Sequence, residues 1–409
     1  MDQRVHQPGW AAEPRDFDII NLDPRFIEDP FASYARLRAE DPVHRNPDGS
    51  YFLTRYADVR ALLLDERMSS DKSLEFPPVF GNTPYLEHLL HTMVFNDPPV
   101  HTRIRKRLAY AFTPKAIAAW EPVVVKTIAE LLDELAEKKE FDLIADYAYA
   151  LPVAIIAALL DVPKLDRALF RRWSLAITGP MNNKPSAELI ELGSNAVEEF
   201  KIYFRDLIAA KRRSPGTDLI SVMLEVEDEE GKGLTELELI HNCAFLLNAG
   251  HETTTNLIGN SMKALFNAPA EFERLRANPD LADSAVEEFL RYDSPNQLGG
   301  RRAKENVQIG GVQIPAKSFI WISNGSANRD EEQFPVPDRL DVGRAPNRHL
   351  ALGFGIHLCL GANLARLEGK HAVMGLARRF PDLHPVSAPV GRGHPRYRGL
   401  RSYRLSVAA

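Results

Sequence analysis

The sequence predicts a mainly helical fold with small β-sheets, of the α+β class, and three observations carry that expectation. Apolar residues recur at the 3.6-residue period through most of the chain, alternation is confined to a few short runs, and the composition of the 409 residues, 44% apolar and 26% charged, is that of a folded globular protein. Disordered and fibrous classes are excluded on the same grounds.

Helical periodicity covers Phe31–Glu40, Tyr56–Leu64, Lys115–Lys139, Leu143–Leu160, Ala187–Lys211, Leu281–Tyr292 and Leu360–Phe380. Strands are few: Val43–His44 and Tyr51–Thr54 flank the Asn46-Pro47-Asp48-Gly49 turn, and a second cluster spans Gly300–Ile314, with Phe319–Ile322 after it. The longest helix opens at Thr235, where Thr235-Glu236-Leu237-Glu238 is a capping box and Leu234 with Leu239 can form a hydrophobic staple. It runs without proline to about Phe266, roughly 30 residues and roughly 45 Å, so it must be buried along much of its length. Segments 66–98 and 325–358 are rich in Pro, Gly and Asn yet carry Phe76, Phe80, Tyr85, Phe334 and Phe354, and they read as ordered functional loops. The acidic stretch Glu225 to Glu230 reads as a solvated loop. With no linker, repeat or low-complexity tract in view, residues 1–409 are expected to form one domain.

Lys plus Arg is 50 against 56 for Asp plus Glu, a net charge of −6, so the basic excess of a nucleic-acid-binding chain is missing. The N-terminus carries no apolar signal segment, and the longest apolar run, Val153 to Leu160, falls far short of the ~18 residues of a membrane span. A soluble, cytoplasmic protein without membrane partners is expected. The two cysteines, Cys243 and Cys359, form neither a disulfide framework nor a paired zinc site and fit a reducing compartment. Cys243, on the long helix, reads as a buried hydrophobe.

Two places break the local rules. In the middle of the long helix stands Asn248-Ala249-Gly250-His251-Glu252-Thr253-Thr254-Thr255, small, acidic and hydroxylated residues where a core helix would hold Leu and Ile. Cys359 follows Leu352-Gly353-Phe354-Gly355-Ile356-His357-Leu358 and precedes Leu360-Gly361 at a helix start. Exposed N–H groups there would stabilise a thiolate, and closely spaced glycines admit a large flat group to the backbone.

The run from Gly353 to Gly361 resembles the haem-binding loop of the cytochrome P-450 family, whose cysteine thiolate is the axial iron ligand. Ala249-Gly250-His251-Glu252-Thr253-Thr254 is similar to that family's oxygen-activating stretch, which implies Glu252 and Thr253 as an acid–alcohol pair, with His251 facing the protein body. Glu288 and Arg291 resemble its Glu-x-x-Arg pair, with Arg339 as the third member. Two positions depart from the pattern: Lys317 stands where glycine is usual and Leu340 where Phe is usual.

The resemblance implies a haem-thiolate monooxygenase with a long central helix over haem b (iron protoporphyrin IX). Cys359 is then the metal ligand, and Phe354, Gly361, Ala249 and Gly250 lie against the cofactor. His101 and Arg105, which are i,i+4 neighbours, together with Arg301 and His357, match the family's partners of the haem propionates, and Arg302 is adjacent to Arg301. One atom of O2 would enter a small hydrophobic or aromatic substrate. Electrons would come from a separate ferredoxin or flavodoxin, since no reductase segment is present, and a monomer is expected. Rival readings are a peroxide-using haem-thiolate enzyme, which would not need the Glu252–Thr253 pair, and a haem gas sensor without turnover.

Two finer expectations follow. Arg103, Lys106 and Arg107 lie roughly opposite His101 and Arg105 on a helix at 100° per residue and could offer positive charge to an acidic ferredoxin. Phe76, Phe80, Tyr85, Phe245 and Asn296-Gln297-Leu298 could line the substrate pocket, with Ser69, Ser70 or Lys72 as anchors if the substrate were instead an aromatic acid.

Overall fold

Proline and hydroxyl caps set several of the helix starts. The Thr83 side chain accepts from the Leu86 N–H ahead of Pro84–His91, Thr113 accepts from Ala116 ahead of Pro114–Ala136, and Ser186 accepts from Leu189 ahead of Ala187–Arg213. The caps satisfy donors that the first turn cannot use, and proline at the first position has no such donor to lose. The computed structural model describes residues 12–163, 166–181, 185–225 and 233–407. The first eleven residues and, from 226 on, the acidic stretch lie outside them.

Contacts divide the chain into two compact units: one built from residues up to Ser69, Asn260–Cys359 and Pro389–Arg401, the other from Ser70–Gly259, Leu360–Ala388 and Ser402 onward. The first unit holds a five-stranded sheet in the order Val43–Arg45, Tyr51–Leu53, Phe319–Ser323, Leu298–Ala303, Met68–Ser69. Tyr51–Leu53 and Phe319–Ser323 run parallel, and the other neighbours are antiparallel. Side chains alternate across this sheet. Val43, Leu53, Ile320 and Ile322 bury one face against Tyr56, Val59 and Leu62 of the Tyr56–Leu64 helix and against Phe334 and Leu350, while Phe52 and Leu298 meet Phe17, Phe26 and Tyr34 on the other. At about 1.5–3 kcal/mol for each large apolar side chain buried, this core fixes the loop that leaves Leu350.

Among its described residues the second unit is mainly helical, with a sheet in which Arg404–Ser406 lies between Glu140–Asp142 and His384–Pro385. Ala150–Leu159 is buried on nearly every side. Pro114–Ala136 packs along Ala362–Arg379, and Tyr147 donates its hydroxyl to the Ala372 carbonyl at 2.9 Å. Among the described residues no helix is long and apolar enough to cross a membrane.

The expected helices are present, most within a few residues of the read ends. Leu143–Leu160 is two elements, a π-helical turn at Leu143–Ala148, capped by the Asp142 carboxylate and closed by the Tyr149 N–H on the Ile144 carbonyl five residues back, and the helix Ala150–Leu159. The segment 66–98, read as a loop, contains the helix Pro84–His91. The helices Arg167–Thr178 and Pro269–Ala277 and the C-terminal strands are additions to the sequence reading. Lys317 has φ +69, which is why glycine suits that turn, and Leu340 is buried in place of an aromatic ring.

Candidate active site

In the first unit the loop before Cys359 is held by its own backbone. The Gly353 N–H donates to the Leu350 carbonyl at 2.9 Å, Leu358 donates to Gly355 at 3.1 Å, and Cys359 donates to Leu352 at 2.8 Å. Gly353 and Gly355 have φ +74 and +68, and a Cβ on Gly355 would stand 2.5 Å from the Leu63 carbonyl oxygen, so the turn requires glycine. Phe354 packs on the sheet core, with the Arg60 guanidinium 4.8 Å from its ring centre. His357 is half-buried in the 3-10 turn Gly355–His357. The result is an exposed Cys359 thiol flanked by Ile356, 54% exposed, and Leu358, 42% exposed. A free cysteine is usually among the most buried residues, and Cys243 behaves that way: it is fully buried, and desolvation pushes its thiol far up.

Glu288 and Arg291 form a paired carboxylate and guanidinium with no exposure, at 2.8 Å for both bonds. The third member is a correction. Arg344, not Arg339, donates its Nε to Glu288 at 3.0 and 3.2 Å, while the Arg339 side chain is 69% exposed and faces Asp341. Arg339 contributes its backbone carbonyl to the Arg344 guanidinium at 3.2 Å. Asn347 and the Asp341 N–H complete the carboxylate's shell at 3.1 and 3.0 Å. Burial pulls the Arg291 guanidinium below its ordinary value, and Glu288 opposes that shift. Arg301 and Arg302 are both half-buried on Leu298–Ala303; Arg301 donates to the Gly300 carbonyl at 2.9 Å and Arg302 to the Lys317 carbonyl.

In the second unit the capping box closes as expected: the Thr235 N–H donates to Glu238 Oε2 at 2.9 Å, and the Glu238 N–H donates to Thr235 Oγ1 at 3.2 Å. The central helix, Glu236–Asn267, then carries Ala249, Gly250, Glu252 and Thr253 in sequence. The Thr253 hydroxyl donates to the Ala249 carbonyl at 2.9 Å. Glu252, 4% exposed, accepts from Asn256 Nδ2 at 3.2 Å. Nothing would meet a Cβ on Gly250 or on Gly361 within 4 Å, so both glycines border open space. His251 is buried, with its Nδ1 2.9 Å from Ser174 Oγ.

On Val100–Ala109, His101 is buried and Arg105 half-buried on one face. The expected ferredoxin-facing side is largely lost. Arg103 pairs with Glu238 at the head of the central helix, and Arg107, 2% exposed, donates back to the Arg103 carbonyl, which leaves Lys106 exposed. Two pocket candidates also have other work. Tyr85 has no exposure and donates its hydroxyl to the Ile177 carbonyl at 2.7 Å; the Gln297 amide donates to Ser294 at 2.8 Å and fills the space beside Gly325. Phe76 stands with Phe80 and Phe95 in an edge-to-face cluster. Lys72 faces Glu75 at 4.0 Å.

Of the residues singled out from the sequence, the first unit carries Arg301, Phe354, His357 and Cys359, and the second carries His101, Arg105, Ala249, Gly250, Glu252, Thr253 and Gly361. Sequence reasoning missed Arg344 and Ser174; neither stands at a spacing that separates it from an ordinary surface residue.

Residues 169–386 match the family model for cytochrome P450. The chain is 39% identical to the cytochrome P450 monooxygenase PikC of Streptomyces venezuelae, over 98% of this chain and 96% of that protein. It is 40% identical to a vitamin D(3) 25-hydroxylase of Pseudonocardia autotrophica over 91% of each. The crystal structure of CYP109E1 from Bacillus megaterium with testosterone superposes at a TM-score of 0.85, with 36% identity and coverage of 95% of this chain and 100% of that one. The chain belongs to the cytochrome P450 family and is a P450 monooxygenase. Its cofactor is haem b, and the residues present fit it: an exposed thiol among aliphatic side chains, on a loop whose glycines keep the backbone low, is suited to a soft thiolate ligand under a flat macrocycle.

Proposed function

We propose that Cys359 is the thiolate ligand of the haem iron, that His101, Arg105, Arg301 and His357 neutralise the propionates, and that Glu252 and Thr253 deliver protons during turnover. The exposed thiol on its glycine-turned loop is the single observation that carries this reading. Phe354, Ala249, Gly250 and Gly361 border the ring in it. When bound, haem supplies the activation of O2 for insertion of one oxygen atom into the substrate. The chain's own part is orientation and proton control. Glu252, held by the Asn256 amide one turn further along the helix, is the carboxylate that exchanges a proton at Oε, and Thr253 holds one at Oγ1 against the Ala249 carbonyl. The two units act as one catalytic domain in this reading, which the repeated passage of the chain between them supports.

The substrate is a neutral hydrophobic compound. The Phe76, Phe80 and Phe95 cluster favours it, Lys72 already faces Glu75, and vitamin D(3) and testosterone stand in the names of relatives. Electrons come from a separate ferredoxin. Thr253→Ala should leave haem content and substrate binding intact while diverting NADH-derived electrons from product to peroxide; unchanged product per NADH overturns the acid–alcohol role. In a ligand panel, neutral steroid-like compounds should shift the Soret band and aromatic carboxylates should not. A response to carboxylates alone, abolished in Lys72→Ala, would reverse the substrate assignment.

A further inference from the structure

The turn that bears Glu252 and Thr253 is loosened from within. Gly250 adds backbone freedom there. The hydroxyls of Thr253 and Thr255 donate back to the Ala249 and His251 carbonyls, each at 2.9 Å, and so compete with the helical N–H groups for the same oxygens. Back-bonding of this kind bends a helix. The helix continues unbroken through this turn, but such back-bonding slightly destabilises it, so contacts from outside add to its rigidity.

His251 lies inside that turn, next to Glu252, and is 1% exposed. Two other elements hold its ring. Ser174, 2% exposed on the helix Arg167–Thr178, shares a 2.9 Å hydrogen bond with His251 Nδ1. The Tyr149 ring, at the start of Ala150–Leu159, stands edge-on to the imidazole with 4.0 Å between centroids and 85° between planes. Ser174 is itself anchored, because its helix packs through Trp173 and Phe170 against Phe200, Tyr203 and Phe204 of Ala187–Arg213. The serine hydroxyl thus ties a well-packed helix to the glycine- and threonine-bearing turn of the central one.

We infer that Ser174 is a positioning residue for the monooxygenase reaction: by fixing His251 it sets the register in which the Glu252 carboxylate and the Thr253 hydroxyl are presented. The inference rests on the proton-delivery role proposed for that pair. It predicts that the hydroxyl at 174, and not the bulk of the side chain, governs how reducing equivalents are partitioned.

Ser174→Thr and Ser174→Val isolate the hydroxyl, since the two replacements share shape and added volume. Both should purify with full haem and an unchanged thiolate CO spectrum. Relative to Ser174→Thr, the Ser174→Val holoenzyme should show about a fivefold lower ratio of product to peroxide, the effect of losing one ordinary hydrogen bond on an equilibrium. Amide hydrogen exchange in the holoenzyme should be about fivefold faster across 249–256, with Ala187–Arg213 unaltered. Equal exchange in the two variants overturns the anchoring, and equal partition overturns the positioning role. Thr253→Ala, run beside them, separates the failures. If it collapses the ratio while the Ser174 pair are alike, only this inference falls; if it leaves the ratio unchanged, the proton-delivery reading falls and takes this inference with it.

Discussion

The Glu288 network and the Ala249–Asn256 turn are both polar insertions into buried structure, and they are built in opposite ways. Around Glu288 each carboxylate oxygen has several donors: Arg291 through both forks, Arg344, Asn347 and the Asp341 N–H. Arg291 Nη1 is in turn taken up by the Asn328 and Pro337 carbonyls at 2.9 Å. A buried network in which both oxygens of the carboxylate are satisfied is rigid, and it fixes the segment between Asn328 and Arg344 that leads toward the cysteine loop. The helix turn instead spends its hydroxyls on its own carbonyls and takes its setting from Ser174 and Tyr149. The first region is specified for stability, and the second is the one to which the proposed proton delivery is assigned.

The contrast breaks most visibly at Glu288. Glu288→Ala leaves two guanidinium groups facing a buried space without their carboxylate and should cost about 3–5 kcal/mol of unfolding free energy, as expected for a broken buried pair. Denaturant unfolding of the holoenzyme followed at the Soret band reads it, and a loss below about 1 kcal/mol would remove the network from its scaffold role. Next in size is the pair Arg344→Ala and Arg339→Ala. The first should lose about 1–3 kcal/mol through unsatisfied acceptor capacity on Glu288, the second less than about 0.5 kcal/mol because its side chain stands in solvent. Equal losses would restore Arg339 to the network.

The smallest effect is a pH dependence near the head of the central helix. His88 and His241 approach at 3.2 Å between Nδ1 atoms, His241 Nε2 meets Glu87 at 3.1 Å, and Lys201 lies 3.0 Å from Glu87, with His91 stacked on His241. Burial pulls His88 well below its ordinary 6.5 and His241 down to about 4. Both rings therefore bind fewer protons folded than unfolded in that interval. Their contribution to stability is full above pH 6.5 and is lost as pH falls through the folded values. Protection against hydrogen exchange in Pro84–His91, taken relative to the intrinsic exchange rate at each pH, should fall between pH 6.5 and 4, and His88→Phe should flatten that fall.

Much of this was legible in the sequence because the signals were local. The capping box at Thr235, the Asn46–Gly49 turn and the glycines before Cys359 each dictate their own backbone geometry, and the structure realises them. Arg339 and Tyr85 were misread for one shared reason: whether a side chain turns inward depends on partners distant in the chain, Glu288 for the arginines and Ile177 for the tyrosine. Lys106 is exposed while Arg103 is half-buried and Arg107 buried, a distinction that 100° steps around a helix do not encode. Pro84–His91 was hidden by the prolines and glycine that precede it, although Thr83-Pro84 is a capped helix start.

The central claim, that Cys359 carries the iron, is tested most directly by the CO spectrum of the reduced protein. The native chain should show the red-shifted Soret band of a thiolate-ligated haem, and Cys359→Ser should lose that band while Cys243→Ser keeps it. A thiolate CO spectrum that persists in Cys359→Ser contradicts the account.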